Sequence, residues 1–551
     1  MFKNLSFRPE SLALLASVLL LALYNYPLWS HLSSIVPAGA GGIGLRVAFG
    51  VMVLAVFSFV LALLSFRWVF KPLLIVLFMV SSGVAYFMGQ YGVMIDANML
   101  RNVAETDIKE VHGLMSLSLL LHILLLGVLP SWLLWKVPVR HRSLRRELLG
   151  KVVLAVGSVA VLGGVALVNY QGLASLFRNH HELRLLVVPS NYLNASFGYV
   201  REQLATAQEP LRSIATDARK SSAWVGHQRK SLTVLVVGES ARADNFGVLG
   251  YERDTTPKLR AESGLLGFTN VHSCGTETAV SVPCMFSNLG RAGYDATQAR
   301  TQEGLLDVLK RAGLTVSWWD NQSGCKGTCD RVDQVDLSHR QDPDLCRDGE
   351  CRDEILLRDL QAYIDQLKDD TVLVLHQAGS HGPEYYKRYP QAFETFTPVC
   401  RSNALNDCSQ ESIVNAYDNT LVYTDHVLAS LIDILRRNQD RLDTAMIYLS
   451  DHGESLGEYN LFLHGTPYVL APDQQKHVPL LAWFSSSYTQ DFGLDTGCLT
   501  KDREKPLSQD NLFHSLLGLL QLQTTAYNDG LDLFAGCRVR QAGSTLAGAG
   551  T

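Results

Sequence analysis

Five stretches of this 551-residue chain, 11–30, 47–66, 72–95, 113–135 and 152–177, contain no Asp, Glu, Lys or Arg. A bilayer core takes about 20 apolar residues in a helix. Lipid offers a backbone no partner but itself, so these runs are expected to be five spanning helices. The first ends in Tyr24, Tyr26 and Trp29 rather than in a small-residue cleavage site, which marks a retained span and not a removable signal. Basic residues set the orientation. Lys3 and Arg8 precede the first run, and Arg67 and Lys71 separate the second from the third. Lys136, Arg140, Arg142, Arg145, Arg146 and Lys151 separate the fourth from the fifth. The intervening connections differ: 31–46 holds only Arg46 at its edge, and 96–112 is mildly acidic. The alternation puts the N-terminus inside and everything after residue 177 outside.

Charge and cysteine follow the same division. Residues 1–170 hold 13 basic and 6 acidic side chains and residues 171–551 hold 35 and 47, so the halves carry +7 and −12. So acidic an exported half argues against a nucleic acid partner. None of the ten cysteines precedes Cys274, as expected where the compartment permits disulfides. They fall into neighbours: Cys274/Cys284, Cys325/Cys329, Cys346/Cys351, Cys400/Cys408 and Cys498/Cys537. Spacing does not fix connectivity, but sequential pairing closes four short loops and one longer one. A thiolate zinc site would show paired C-x-x-C knuckles, which this chain lacks.

Residues 1–177 therefore read as a membrane domain, and 178–230 as a bridging linker with helix-compatible, amphipathic stretches at 192–207 and 209–220. From 231 to 540 the pattern alternates apolar strand candidates (232–237, 315–319, 371–376, 445–450) with helices (301–312, 353–368, 411–437, 511–520). Such alternation predicts an α/β domain with a mostly parallel sheet covered on both faces. The tail 541–551 is expected to be disordered.

Ligands of such sheets sit at the carboxyl ends of the strands. There the sequence places Glu239 after LTVLVV, Asp451 and His452 after AMIYLS, and His381 shortly after TVLVLH. Two carboxylates and an imidazole converging on one edge form a ligand set suited to Zn²⁺. A single strand-end acid would more often cap a helix; three strand ends together favour a metal. Thr278 lies in CGTETAVSVPC, where glycine and hydroxyls lead into a helix-compatible run, so it is expected near a helix N-terminus that favours a phosphate. On spacing alone, an ordinary capping threonine stays ahead of a nucleophile.

The blocks GES, CGTETAVSVPCMFSN, WWDNQSGCKGTCD, HQAGSHGPEYYKRYP, SDHGESLGE and LFLHGTPY, in this order behind five apolar runs, resemble the phosphoethanolamine–lipid A transferases. These are membrane-anchored members of the alkaline-phosphatase/sulfatase superfamily, some of which confer polymyxin resistance. The resemblance covers essentially the whole chain. It implies a five-helix transmembrane domain joined to a periplasmic α/β domain of alkaline-phosphatase/sulfatase type, in a multi-pass protein of the bacterial inner membrane. It implies Glu239, Thr278, Asp451 and His452 as zinc ligands, with Thr278 also the nucleophile. His381 and His464 match histidines beside the substrate phosphate, which hold a second zinc in some members. Lys326 and Gln322 fall in the block that resembles the head-group-binding segment, and His376 and Glu454 match supporting positions. The implied reaction moves phosphoethanolamine from phosphatidylethanolamine to a lipid A phosphate through a phosphoethanolamine-threonine enzyme, acting as a monomer among membrane lipids. A phosphoglycerol transferase of the lipoteichoic-acid-synthase type is the alternative. A sulfatase would want C/S-x-P-x-R, absent around Cys284, and a zinc- or lipid-binding sensor would not need the intact nucleophile block.

Overall fold

The structure, a computed structural model, describes residues 6–106, 111, 113–207, 209–347 and 349–539. Lys3 and the tail 541–551 lie outside the described residues. The chain divides into two compact units, one of residues 1–100 and 115–198, the other of residues 101–114 and 199–551. The segment 101–114 therefore belongs with the second unit, although it lies between two apolar runs.

Among the described residues of the first unit, four helices are long and apolar enough to cross a bilayer: α3 (Ala40–Leu64), α4 (Phe70–Tyr91), α5 (Leu117–Lys136) and α6 (Leu144–Val168). The first apolar run is not one straight helix. It forms α1 (Pro9–Leu23) and α2 (Tyr26–Ile35), bent by 60°, and makes a fifth span when the pair is counted as one. The break falls at Asn25, whose buried side chain donates to Leu20 O at 2.9 Å and Val188 O at 2.8 Å and accepts from Val188 N at 2.9 Å. Pro27, in the first turn of α2, lacks the N–H that would continue α1.

Helices α3 and α6 also start seven and eight residues before their charge-free runs. They take Arg46 in one case and Arg145, Arg146 and Lys151 in the other into their first eight residues. A charge-free window marks the hydrocarbon layer rather than the helix, because long basic side chains reach out of it. Arg46 does so, donating to Ser33 O at 3.1 Å. A π-helical turn at Ile123–Val128 precedes Pro130 in α5. Proline cannot donate to Leu126 O, and the Tyr24 hydroxyl takes that role at 2.5 Å.

The second unit is built on a seven-stranded sheet of β1 (Lys230–Gly238), β2 (Leu266–Phe268), β3 (Thr315–Asp320), β4 (Asp333–Asp336), β5 (Thr371–His376), β6 (Leu442–Ser450) and β7 (Leu480–Phe484), in the order β2-β7-β6-β1-β5-β3-β4. Strands β6, β1, β5, β3 and β4 are mutually parallel, and β7 runs antiparallel to both β6 and β2. β5 is buried throughout and β1 from Ser231 onward, as their unbroken apolar runs require of a doubly covered sheet. Among the covering helices is α7 (Gln410–Arg437), capped by Ser409 Oγ accepting from Ser412 N. The fold class read from the sequence stands.

Three local readings change. The stretch 209–220 is not helical. Pro210 lies near its start, the Arg212 backbone pairs with Thr301 O and Glu303 N, and Arg219–Lys220 pairs antiparallel with Leu522–Gln523. Its hydrogen bonds therefore go to the body of the unit. The expected helix 353–368 is a 3₁₀ turn, Asp353–Leu357, followed by a short helix, Leu360–Asp365. The helix expected from residue 301 starts at Leu305, where Gly304 N donates to Asp307 Oδ2 at 2.8 Å.

Strand β6 carries a liability near its start. Asp443 is fully buried, and neither of its oxygens has a hydrogen-bond donor. Arg229 Nη1 stands 3.9 Å away. Burial, and then the facing Asp491 carboxyl, push the Asp443 pKa up to about 6. A carboxyl raised on folding stabilises the protein below its unfolded pKa, and that contribution is lost as pH rises through 6. Asp443→Asn should therefore raise the thermal unfolding midpoint at pH 8, with the gain vanishing toward pH 4. An equal midpoint shift at both pH values would refute this account.

Candidate active site

Strand register assembles the site. In the parallel pair of β1 and β6, Gly238 lies opposite Ser450, so Glu239 and Asp451 leave the sheet side by side. On the other flank Val237 lies opposite His376, and His376 opposite Asp320. The loop after β5 turns back over Glu239, with Ser380 N donating to Glu239 O at 2.9 Å. Gly379 permits this at φ +52°, because a Cβ there would stand 2.6 Å from Glu239 O. Asp353 holds the same loop, accepting from Ala378 N at 2.8 Å and Gly379 N at 2.9 Å.

Thr278 is the first residue of α8 (Thr278–Met285), and Cys274 is bonded to Cys284 across the loop that presents it. Its hydroxyl donates to Glu239 Oε2 at 3.0 Å and lies 3.3 Å from His452 Nε2. The same Nε2 is 3.4 Å from Glu239 Oε1 and 3.4 Å from Asp451 Oδ2, and all four residues are buried. His452 Nδ1 donates to Gly453 O at 2.8 Å, which turns the Nε2 lone pair toward the two carboxylates. Asp451 Oδ2 is buried without a hydrogen-bond donor.

A lone pair and carboxylate oxygens facing one another call for a cation between them. Without a metal, the same carboxylates draw a proton onto that nitrogen. Burial opposes its charge, but Asp451 and then Glu239 hold the His452 pKa up at about 9. Glu239, Asp451 and His452 offer ligand atoms within 4.8 Å of one another, and with the Thr278 hydroxyl they make a four-donor O₃N set suited to zinc. A second group, His452, Glu454 and His464, meets the same distance test. His464 Nδ1 lies 2.8 Å from Glu454 Oε2, and Glu454 Oε1 accepts from Tyr385 at 2.8 Å. His381 lies with its ring 5.3 Å from that of His464. Burial pushes the His381 pKa down to about 4, ahead of the opposing pull of Glu239, so its imidazole is neutral at pH 7.

The head-group pair separates. Gln322 is buried and donates to Glu239 Oε2 at 2.8 Å, holding a candidate ligand rather than facing an open binding segment. Lys326 donates to Ser323 Oγ at 2.8 Å and Glu105 O at 3.2 Å, and lines a cavity of about 510 Å³ with Arg300 and Arg331. Asp320 went unrecognised in the sequence. Burial opposes its ionisation, but His376, Trp318 and Gln322 N together hold its pKa at about 2. It fixes His376, whose Nδ1 lies 3.0 Å from Asp320 Oδ2. The signal was present, since Asp320 ends β3 as Glu239 follows β1. Asp353, outside any strand end, gave none.

The remaining cysteines pair as Cys325–Cys329, Cys346–Cys351, Cys400–Cys408 and Cys498–Cys537, and no cysteine among the described residues is free.

Two family profiles match the chain, Sulfatase over residues 231–522 and Phosphoethanolamine transferase EptA/EptB over residues 53–204. The chain is 42% identical over 546 residues to the phosphoethanolamine transferase EptA of Escherichia coli K12, covering 98% of this chain and 99% of that protein. It is 35% identical over 534 residues to the phosphatidylethanolamine transferase Mcr-1 of Escherichia coli, covering 95% and 97%. Among solved structures, the integral membrane lipooligosaccharide phosphoethanolamine transferase A of Neisseria meningitidis superposes with a TM-score of 0.94 at 36% identity, over 97% of this chain and 99% of that one.

Proposed function

The chain belongs to the phosphoethanolamine transferases of the EptA and Mcr type, and from that premise we propose that it carries phosphoethanolamine from phosphatidylethanolamine to a phosphate of lipid A by way of Thr278. The observation that carries this reading is the position of the Thr278 hydroxyl at the start of a helix, within hydrogen-bond reach of both Glu239 and His452. Glu239, Asp451, His452 and Thr278 would hold one zinc ion. A bound zinc would lower the Thr278 pKa and offset charge on the phosphoryl oxygens.

The remaining steps use the chain's own groups. Thr278 Oγ1 attacks the donor phosphorus, a P–O bond to Thr278 forms, and the P–O bond to diacylglycerol breaks. The Thr278 proton passes to Glu239, its hydrogen-bond acceptor at 3.0 Å. His464, backed by Glu454, protonates the leaving diacylglycerol oxygen. An oxygen of the lipid A phosphate then attacks the same phosphorus, the P–O bond to Thr278 breaks, and Glu239 returns the proton to Thr278. Neutral His381 takes up the proton that the acceptor oxygen carries and passes it to His464, whose ring lies 5.3 Å away, which restores the starting state. One covalent site serves two lipids in turn, which suits donor and acceptor held in the same leaflet. By the basic-loop rule the second unit faces the periplasm. Capping a lipid A phosphate with an amine lowers surface negative charge and weakens binding of cationic peptides such as polymyxin.

Mass spectrometry of lipid A from cells expressing the chain tests this reading. One added phosphoethanolamine on a phosphate is expected, and unchanged lipid A with a modified core sugar or glycan would send the acceptor assignment elsewhere.

A further inference from the structure

At the end of the membrane unit that carries the basic loops, a cleft of about 480 Å³ opens between α1, α3 and α6. One wall is a stripe of α6 from Gly150 to Val161, and the facing wall is a stripe of α3 from Val51 to Ser58. Eleven residues of helix rise about 16 Å, roughly half of a bilayer core about 30 Å thick. The cleft is therefore about one leaflet deep.

Its charged groups are at one end only. Arg8, Glu10 and Arg142 line it there, and Glu10 is paired with Arg142. That pair lies directly on the α6 backbone, where a Cβ on Gly150 would stand 1.9 Å from Glu10 Oε1. The rest of the lining is mostly Leu, Val, Ala and Gly. Three polar atoms of the lining are buried without a hydrogen-bond partner: Glu10 Oε2, Arg142 Nε and Ser58 Oγ. Ser58 is only 2% exposed. In the alternating topology α3 runs opposite to α6, so Ser58, near the end of α3, sits toward the charged end. Further along α6, Gly157 is exposed, and a Cβ there would meet nothing within 4 Å.

We propose that this cleft is a binding site for one anionic phospholipid, of the phosphatidylglycerol kind, drawn from the leaflet on the basic-loop side. Two arginines against one glutamate leave a single excess positive charge, which matches one phosphodiester. The unpartnered Ser58 hydroxyl and Arg142 Nε supply donors for the headgroup and ester oxygens, and the apolar stripes take an acyl chain. Basic pockets between spanning helices on the cytoplasmic side commonly hold such headgroups. The site is independent of the transfer chemistry, and only its leaflet rests on the orientation read from the loops.

The test is native mass spectrometry of the full chain released from nanodiscs of phosphatidylethanolamine and phosphatidylglycerol in a 3:1 ratio (about the proportion that makes preference visible). One phosphatidylglycerol per chain is expected to survive release. Arg8→Gln and Arg142→Gln should each cut that occupancy about fivefold, whereas Arg145→Gln, exposed at the same end and outside the cleft, should not. Because Arg142→Gln also breaks an ion pair, Gly157→Leu provides a second arm: it puts bulk on the exposed α6 wall of the cleft, should abolish retention, and should leave the unfolding midpoint unchanged. Retention unaffected by Gly157→Leu, or phosphatidylethanolamine retained in proportion to its share, would overturn the proposal.

Discussion

Thr278→Ala is expected to lower phosphoethanolamine transfer at least a thousandfold, about 4 kcal/mol of barrier, while leaving most of the bound zinc in place. The two parts of that expectation have different causes. Alanine removes the hydroxyl that touches both Glu239 and His452, and with it the oxygen that would carry the phosphoryl group. Metal affinity would rest mainly on Glu239, Asp451 and His452, which alanine leaves in position. The fold should survive as well, since alanine is the best helix former and Thr278 opens α8 without capping it. Thr278→Ser keeps the hydroxyl and should keep measurable activity. With wild type and a phosphatidylethanolamine analogue alone, a phosphoethanolamine adduct should accumulate on the peptide containing Thr278 and discharge when acceptor is added. Direct transfer between the two lipids would give no adduct. Activity of Thr278→Ala above about a tenth of wild type, a loss under ~1.4 kcal/mol, would end the covalent mechanism.

The site was largely legible because its geometry follows from strand register, which an unbroken apolar run reports well. LTVLVV and AMIYLS read as doubly buried strands, and their parallel pairing brings the residues after them out at one edge. What supports those residues was harder to read. Asp320 looks like any strand-end acid until the neighbouring strand is known to place His376 opposite it. Gln322 is polar in a glycine-rich loop, and nothing local says that its amide turns inward to Glu239.

The strands that escaped notice failed for a different reason. β4 is DQVD, exposed at every position on the sheet edge, and carries no apolar signal. β7 is as apolar as the strands that were recognised, but it pairs antiparallel and lies outside the alternating helix–strand rhythm. In the membrane unit, hydropathy located the spans and missed the bend, because one asparagine bonded to a distant backbone decides it.

Asp451→Ala should lose activity and metal together, and its companion Asp451→Asn separates charge from shape. Asp451 Oδ1 accepts from Ser240 N at 3.2 Å and His452 N at 2.7 Å, while Oδ2 faces His452 Nε2 and has no donor. The first oxygen is held by two backbone donors, and the second, with no donor of its own, is placed to meet a cation. Asparagine keeps an acceptor for the two backbone donors and removes the charge that a metal needs, so it should fold yet carry less than about a tenth of the wild-type zinc at micromolar supply. The discriminating readout is thermal. Wild type should lose unfolding temperature when treated with a chelator, because two buried carboxylates are then left facing each other, as the absence of any donor on Oδ2 implies. Asp451→Asn should barely respond to the chelator, and should melt above chelated wild type because one of those charges is gone. If chelation left both proteins unchanged, the carboxylates at the ends of β1 and β6 would not be metal ligands, and Thr278 would have to be activated by Glu239 alone.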